Sequence, residues 1–297
     1  MALAPVPLVS IALSMRNTAA TLRAAICSVL AQSFVDWELI VLDDGSSDNS
    51  LELARAFADE RIRVHADGRR LGLAARLNQA IDLALGRYIA RMDADDVAYP
   101  DRLARQVEFL EAHPEVDLLG AGMMVFEGDG TPVGVFPTRT THADICARPF
   151  FGFYLAHPTW FGKREWFRRW RYDPICRKAQ DQDLLLRSYS ASCFAALPEP
   201  LVGYRQDALS IRKSALGRYY FSRAILRVAW RDGKLARGGT AIAMQLAKLG
   251  FDVFAIGTGR ARALLKHRAL PFDSAQANAW GAAWAACHVE LSSQRVN

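Results

Sequence analysis

Over its first 112 residues the chain alternates short apolar runs with helical segments, and two of the apolar runs end in clusters of aspartate. Leu8 to Leu13, behind Pro5 and Pro7, reads as a buried strand, and Thr21 to Ala31 has helical spacing with Leu22, Ile26, Val29 and Leu30 on one side. Glu38 to Leu42 is a second strand that stops at Asp43-Asp44-Gly45. Asn49 with Glu52 resembles a capping box opening a helix to about Phe57. Ile62 to Ala66 is a third strand, Leu73 to Leu85 a helix closed by Gly86, and Tyr88 to Met92 a fourth strand running into Asp93-Ala94-Asp95-Asp96. Pro100 to Ala112 is helical again. Strands alternating with helices of this length imply an α/β fold with a parallel, doubly wound sheet, whose ligands bind beyond the carboxyl ends of the strands. Both acidic turns follow strands and therefore face one crevice.

Beyond about Asp117 the pattern changes. Asp117 to Val125, Gly128-Asp129-Gly130 and Val133 to Phe136 read as a hairpin, and Gln180 to Ser190 as a helix. From about Ser214 the chain reads as two or three helices separated by Gly238-Gly239 and by Pro271. The expected organisation is a sheet domain over residues 1–213, divided near residue 115, and a helical C-terminal extension over 214–297. From Tyr204 onward there are 15 Lys and Arg against 5 Asp and Glu, and before it 22 against 26, so the net charge of +6 conceals a basic C-terminal third. That charge is either a solvated helical surface or a face drawn to anionic lipid headgroups or an anionic acceptor. The basic residues are dispersed without a recognition motif, so no nucleic acid is expected. The five cysteines are scattered, with no Cys-x-x-Cys pair. No secretory signal pattern opens the chain, and a cytoplasmic location is expected, peripheral at the inner face of the membrane if the basic region touches lipid. No segment reads as a membrane span; the nearest, Thr240 to Thr258, is interrupted by Lys248 and Asp252.

Asp93-Ala94-Asp95 sets carboxylates side by side at a strand end. They repel unless a cation or basic partner is near, and hard oxygen donors suit Mn²⁺ or Mg²⁺. Such an ion bridges a diphosphate and neutralises the charge that develops as it leaves. A loop of helix-capping aspartates has the same composition, as does Asp43-Asp44-Gly45-Ser46-Ser47, which also suits a turn.

The ordered set is more specific than its parts. Val9-Ser10-Ile11 with Asn17, Ser28 to Ser33, Glu38 to Asp48, Gly72 with Ala75, Arg76 and Asn78, and Tyr88 to Asp96 with Pro100, Arg102 and Leu103 together resemble the family 2 glycosyltransferases, which have a GT-A fold. The match runs from about Val9 to Pro114, and continues more weakly through His157-Pro158-Thr159, Gln180 to Leu184 and Gly203-Tyr204-Arg205. The resemblance implies a GT-A nucleotide-sugar fold and a nucleoside-diphosphate sugar as donor. It implies that Ser14 approaches the nucleotide base, that Asp44 binds the base, and that Arg76 and Asn78 lie on the helix lining the nucleotide site, with a surface cation the other reading of Arg76. It implies that Asp93 faces ribose or metal and that Asp95 is the metal ligand, while Asp96 either joins them or caps the next helix.

Inverting sugar transfer needs a base for the acceptor hydroxyl. Family members commonly show Glu-Asp before Leu-x-Leu-Arg; here Gln180-Asp181-Gln182-Asp183-Leu184 puts Asp181 in the base's place, with Asp183 as rival. Many relatives place a histidine soon after the Tyr-Arg, where this chain has Gln206-Asp207 and no histidine before His267, leaving Arg205, Arg212 or Lys213 to supply countercharge. His157 is a candidate for the acceptor pocket or for a structural role, and Trp160, Trp166 and Trp170 for sugar stacking or for packing. The expected activity is an inverting glycosyltransferase acting on a glycan or lipid-linked acceptor in cell-surface polysaccharide synthesis. The alternatives are a catalytically silent nucleotide-sugar-binding protein and a nucleotidyltransferase, whose early Gly-rich loop Ser14-Met15-Arg16-Asn17 does not provide.

Overall fold

The computed structural model describes residues 6–206, 210–258 and 269–293; Asp207 and His267 lie outside them. In chain order the elements are β1 (Val9–Met15), α1 (Leu22–Leu30), β2 (Trp37–Asp43), α2 (Ser50–Arg55), β3 (Ile62–Ala66), α3 (Leu73–Leu83), β4 (Tyr88–Asp93), β5 (Val97–Ala98) and α4 (Arg102–Ala112). There follow β6 (Leu118–Phe126), β7 (Pro132–Val135), α5 (His142–Ile145), β8 (Phe161–Lys163), α6 (Arg164–Arg169), α7 (Gln180–Ser188) and β9 (Phe194–Arg205). The chain closes with α8 (Ile211–Arg231), α9 (Leu235–Gly257) and α10 (Ser274–Ser293).

One mixed sheet runs β3-β2-β1-β4-β8-β6-β9-β5, with β7 beside β6. The first four strands are parallel, as the alternation predicts, because each returns through a helix. β8 then pairs antiparallel with both β4 and β6, which joins the later strands to the same sheet. Alternate strand residues feed two cores. Ile11, Leu13, Leu39, Val41 and Ala90 pack with α1 and α4, while Ala12, Ile40, Leu42 and Ile89 pack with α3, α7 and α8.

A buried polar knot ties the strands together at the edge away from the acidic turns. Ser10 Oγ donates to Glu38 at 2.6 Å and accepts from the Gly86 N–H at 2.8 Å, while Glu38 also accepts from Arg63 and the Leu85 N–H. This is why residue 86 is glycine. A Cβ there would lie 2.6 Å from the Ser10 nitrogen, so the residue serves a close approach of backbones, not a helix cap.

Three further expectations change. The Asn49 side chain makes no cap bond, and Asp48 instead accepts from the Ser50 N–H and hydroxyl, with α2 ending at Arg55. Gly238-Gly239 does not separate helices but sits inside α9; the break falls at Gly233, whose φ of +66° suits glycine. Gly238 lies where α9 crosses α8, and a Cβ on it would stand 2.6 Å from Ala229 Cβ. Thirdly, α9 extends the apolar stretch back to Leu235, and among the described residues it is the helix long and apolar enough to cross a membrane.

The C-terminal helices pack on one face of the sheet and at its β5 edge. α8 buries Phe221, Ala224, Ile225 and Val228 against the α7 side. α10 lies on α1 and β5, with Trp280 seated against Gly203, where a Cβ would come within 2.1 Å of the indole.

Candidate active site

The register of the parallel strands assembles the site. Ser14 at the end of β1 pairs with Leu42 on one side and with Asp93 on the other, and Met15 pairs with Asp43. The two acidic turns therefore flank the end of one strand, as their position in the sequence implies. Half-buried Ser14 lies in the row between them.

On the β2 side, Asp44 is buried and structurally occupied. Its carboxylate accepts from the Leu71 and Gly72 N–H groups at 2.7 and 2.9 Å and from Arg76 Nε at 3.2 Å. Arg76 is 1% exposed and spends its five N–H donors on Asp44, Asp67, Gln79 and the Arg69 carbonyl. It is therefore no surface cation, and it reaches any ligand only through what it holds: Asp44 and the loop of residues 67–72. Asn78 is also committed. Its amide donates to the Tyr172 carbonyl at 2.9 Å and its oxygen accepts from the Tyr172 N–H at 3.0 Å, pinning α3 to the segment before α7. Outside this frame lies a cavity of about 840 Å³ lined by Asp44, Leu71 and Gly72 and by four arginines, Arg16, Arg70, Arg177 and Arg212. One carboxylate amid four guanidinium groups makes the cavity strongly cationic.

On the β4 side, the carboxylates of Asp93, Asp95 and Asp96 bring one oxygen each within 4.8 Å of one another. Asp96 is buried; one oxygen accepts from the Arg205 N–H at 3.0 Å and the other has no protein partner. Burial, reinforced by repulsion from Asp93 and Asp95, pushes the Asp96 carboxyl well above the usual range. Hard oxygens held together, one of them buried without a partner, fit a divalent cation, and Asp93, Asp95 and Asp96 are the residues that would hold it. Two arginines steady the turn. Arg91, buried on the same face of β4 two residues earlier, pairs with Asp93, and Arg205 bonds the Asp95 carbonyl at 3.1 Å and the Gly128 carbonyl at 2.9 Å. Arg205 thus braces the turn through the backbone.

The third part lies one strand further along. His157 precedes β8, is buried on Trp160, and meets the Tyr172 hydroxyl at 2.8 Å. Burial, helped by the Arg91 charge, holds the imidazole well below its ordinary pKa, so it is neutral. His157 and Asp181 line a second cavity of about 560 Å³ together with Phe153, Tyr154, Gln182 and Tyr204. Burial raises the Asp181 carboxyl above its ordinary value, while hydrogen bonds at Gln182 oppose the rise. Asp181 sits in the first turn of α7, behind Ala179, whose φ of +54° is a left-handed conformation that costs a non-glycine residue on the order of 1 kcal/mol.

Asp183 is placed differently. It is 1% exposed and pairs with Arg187 of its own helix at 2.9 Å and with Arg227 of α8, so one oxygen braces α7 and the other ties α7 to α8. The three tryptophans belong to the core: Trp160 and Trp166 are buried in it and Trp170 packs against it. Arg91 is a site residue that sequence reasoning passed over. Its signal was a lone cation inside an apolar strand, in phase with Asp93.

The family model for glycosyl transferase family 2 matches residues 10–171, the span that carries both acidic turns and His157. Succinoglycan biosynthesis protein ExoO of Rhizobium meliloti is 40% identical over 245 residues, which cover 78% of this chain and 67% of that protein. Among solved structures, TarS of S. aureus in complex with UDP superposes with a TM-score of 0.61 at 19% identity, covering 80% of this chain and 70% of TarS. The mannosyltransferase PcManGT of Pyrobaculum calidifontis, in complex with GDP-Man and Mn²⁺, gives 0.58 at 18% identity over 96% of this chain and 86% of that one. These likenesses identify the architecture as a GT-A fold followed by C-terminal helices. With the match spanning the strands and turns that build the site, the chain belongs to glycosyl transferase family 2.

Proposed function

We propose that this glycosyltransferase is inverting and metal-assisted, moving a sugar from a nucleoside-diphosphate donor to a glycan or lipid-linked acceptor in cell-surface polysaccharide synthesis. One observation carries the reading: a cationic cavity at Asp44, a carboxylate cluster at Asp93 to Asp96 and a second cavity holding Asp181 follow one another along adjoining strands. The nucleotides bound by TarS and PcManGT, and the succinoglycan role in the name of ExoO, support the donor and the acceptor class.

In this reading Asp44, with Ser14, takes the base and ribose end of the donor. The cavity arginines Arg16, Arg70, Arg177 and Arg212 offset the diphosphate charge. Asp93 and Asp95 hold a Mn²⁺ or Mg²⁺ ion, which when bound neutralises the departing diphosphate. Asp181 accepts the acceptor hydroxyl proton as that oxygen attacks the anomeric carbon from the face opposite the leaving group. A carboxyl raised by burial is the stronger base for this task. Arg91 and Arg205 position the acidic turn, and the basic C-terminal region brings the cytoplasmic enzyme to the inner face of the membrane.

A thermal-shift panel of UDP-, GDP- and dTDP-sugars with Mn²⁺, Mg²⁺ or EDTA tests it. The matching donor at 100 times its Kd stabilises by about 2.7 kcal/mol, and only with the ion present. Asp95→Asn abolishes that metal-dependent stabilisation. Stabilisation that survives EDTA removes the metal from the account, and a panel with no stabilising donor removes the nucleotide sugar.

A further inference from the structure

From Ala243 to Phe254 the outward side of α9 is apolar. Its inner side is narrow: Gly238, Ala241, Gln245, Asp252 and Ala255 are buried, with Gln245 and Asp252 bonded to Arg218 of α8 at 3.1 and 2.6 Å. At about 100° per residue, Leu246, Gly250, Val253 and Phe254 point away from that seam. Leu246 is 64% exposed and Phe254 58%, while Phe251 and Met244 extend the apolar surface toward one flank. The cations Arg237 and Lys248, eleven residues apart and so in one row, border the seam. A contiguous apolar helix face of this length is not left to water in a soluble monomer.

Charge selects the occupant. On α9 and the residue before it, Lys234, Arg237 and Lys248 stand against one acid, Asp252, which is already paired with Arg218. An anionic bilayer meets both demands, taking the apolar side chains below its headgroups and the cations among them. The alternative of crossing the bilayer is opposed by the seam. α9 would have to leave α8, and Gln245, Asp252 and Lys248 would enter hydrocarbon.

We infer that α9 lies in the plane of an anionic membrane surface, inserting Leu246, Val253, Phe254 and Phe251. This deepens the membrane contact proposed above, which by itself requires only attraction between charges.

The test is co-sedimentation of the full chain with phosphatidylglycerol/phosphatidylcholine vesicles and with phosphatidylcholine alone. The wild type binds the anionic vesicles, and part of that binding persists at about 1 M salt, where the Debye length is about 3 Å. Leu246→Glu/Phe254→Glu lowers the partition coefficient by roughly 100-fold or more, since each large apolar side chain removed from lipid loses on the order of tenfold or beyond. Leu246→Ser/Phe254→Ser, a milder pair on the same exposed face, falls in between, and unchanged far-UV circular dichroism certifies the fold of both. Binding that salt abolishes and the glutamate pair leaves intact overturns insertion while sparing electrostatic contact. A wild type that ignores anionic vesicles overturns both and leaves the donor assay untouched. A dimer in light scattering that the glutamate pair dissociates assigns the face to a second copy and overturns the inference.

Discussion

Replacing Arg76 by methionine keeps the aliphatic bulk and removes the fork that holds Asp44 and Asp67. The site is 1% exposed and Asp44 is nearly as buried, so the carboxylate is stranded in a low-dielectric setting with only the Leu71 and Gly72 N–H groups. Breaking a buried pair from one side costs about 3–5 kcal/mol. Asp67 is more exposed and rehydrates, adding little. The expected loss is a large share of a typical folding free energy of about 5–15 kcal/mol, read as a shift of the urea midpoint at unchanged m-value. Arg76→Lys recovers only part, because an ammonium cannot bridge two carboxylates as the fork does. The acid limb carries a second signature. The Arg76 guanidinium, with help from Arg69, holds the Asp67 carboxyl well below the ordinary range. A depressed folded-state pKa contributes stability that is complete above the unfolded value near 4 and lost as pH falls below it. Arg76→Met flattens that slope. A variant within about 1 kcal/mol of wild type, with the same acid limb, would refute the view of Arg76 as the brace of Asp44 and the loop of residues 67–72.

The neighbouring aspartates of α7 should separate cleanly. Asp181→Asn leaves donor-dependent thermal shifts intact and stops transfer of labelled sugar, whereas Asp183→Asn lowers stability by about 2 kcal/mol through the lost charged hydrogen bonds and retains turnover. The opposite pattern reverses the assignment of the base. Because burial raises the Asp181 carboxyl, kcat/KM climbs with pH through a midpoint above the ordinary aspartate value near 3.8; the same raised pKa stabilises the fold below the unfolded value and loses that contribution as pH rises. A rate midpoint at or below 3.8 contradicts the buried setting. Gly203→Val drives a side chain into Trp280 and costs about 1–3 kcal/mol, and Trp280→Ala about 3–5 kcal/mol; chemical denaturation of each variant checks both.

The first half of the sheet was legible because parallel strands buried on both faces read as unbroken apolar runs, and polarity returns abruptly where each strand ends. The turns at Asp43-Asp44 and Asp93 to Asp96 announce themselves in that way. What could not be read depends on convergence. Arg16, Arg70, Arg177 and Arg212 come from four distant segments to line one cavity, and no local pattern links them. Arg227 reaches Asp183 across 44 residues, so only the fold reveals that this aspartate is occupied. Glycine misled twice for one reason. Gly86 and Gly238 look like punctuation, but each exists because another backbone or side chain passes too close for a Cβ. Ala179 offers no signal at all, since alanine gives no hint of a left-handed backbone.

The seat of Trp280 also orders the making of the molecule. The indole Nε1 donates to the Gly130 carbonyl at 2.7 Å, and the ring rests on Phe126, Tyr99 and Gly203, beside the strand that leaves the acidic turn. Chains are synthesised from the N-terminus and domains fold as units when they emerge. The strands that carry Asp44 and Asp93 leave the ribosome long before residue 280, yet the wall behind the turn stays open until the final helix arrives. A nascent chain therefore acquires its topology early and the support of its acidic turn late, so premature termination before Trp280 yields a folded sheet with an unsupported acidic turn.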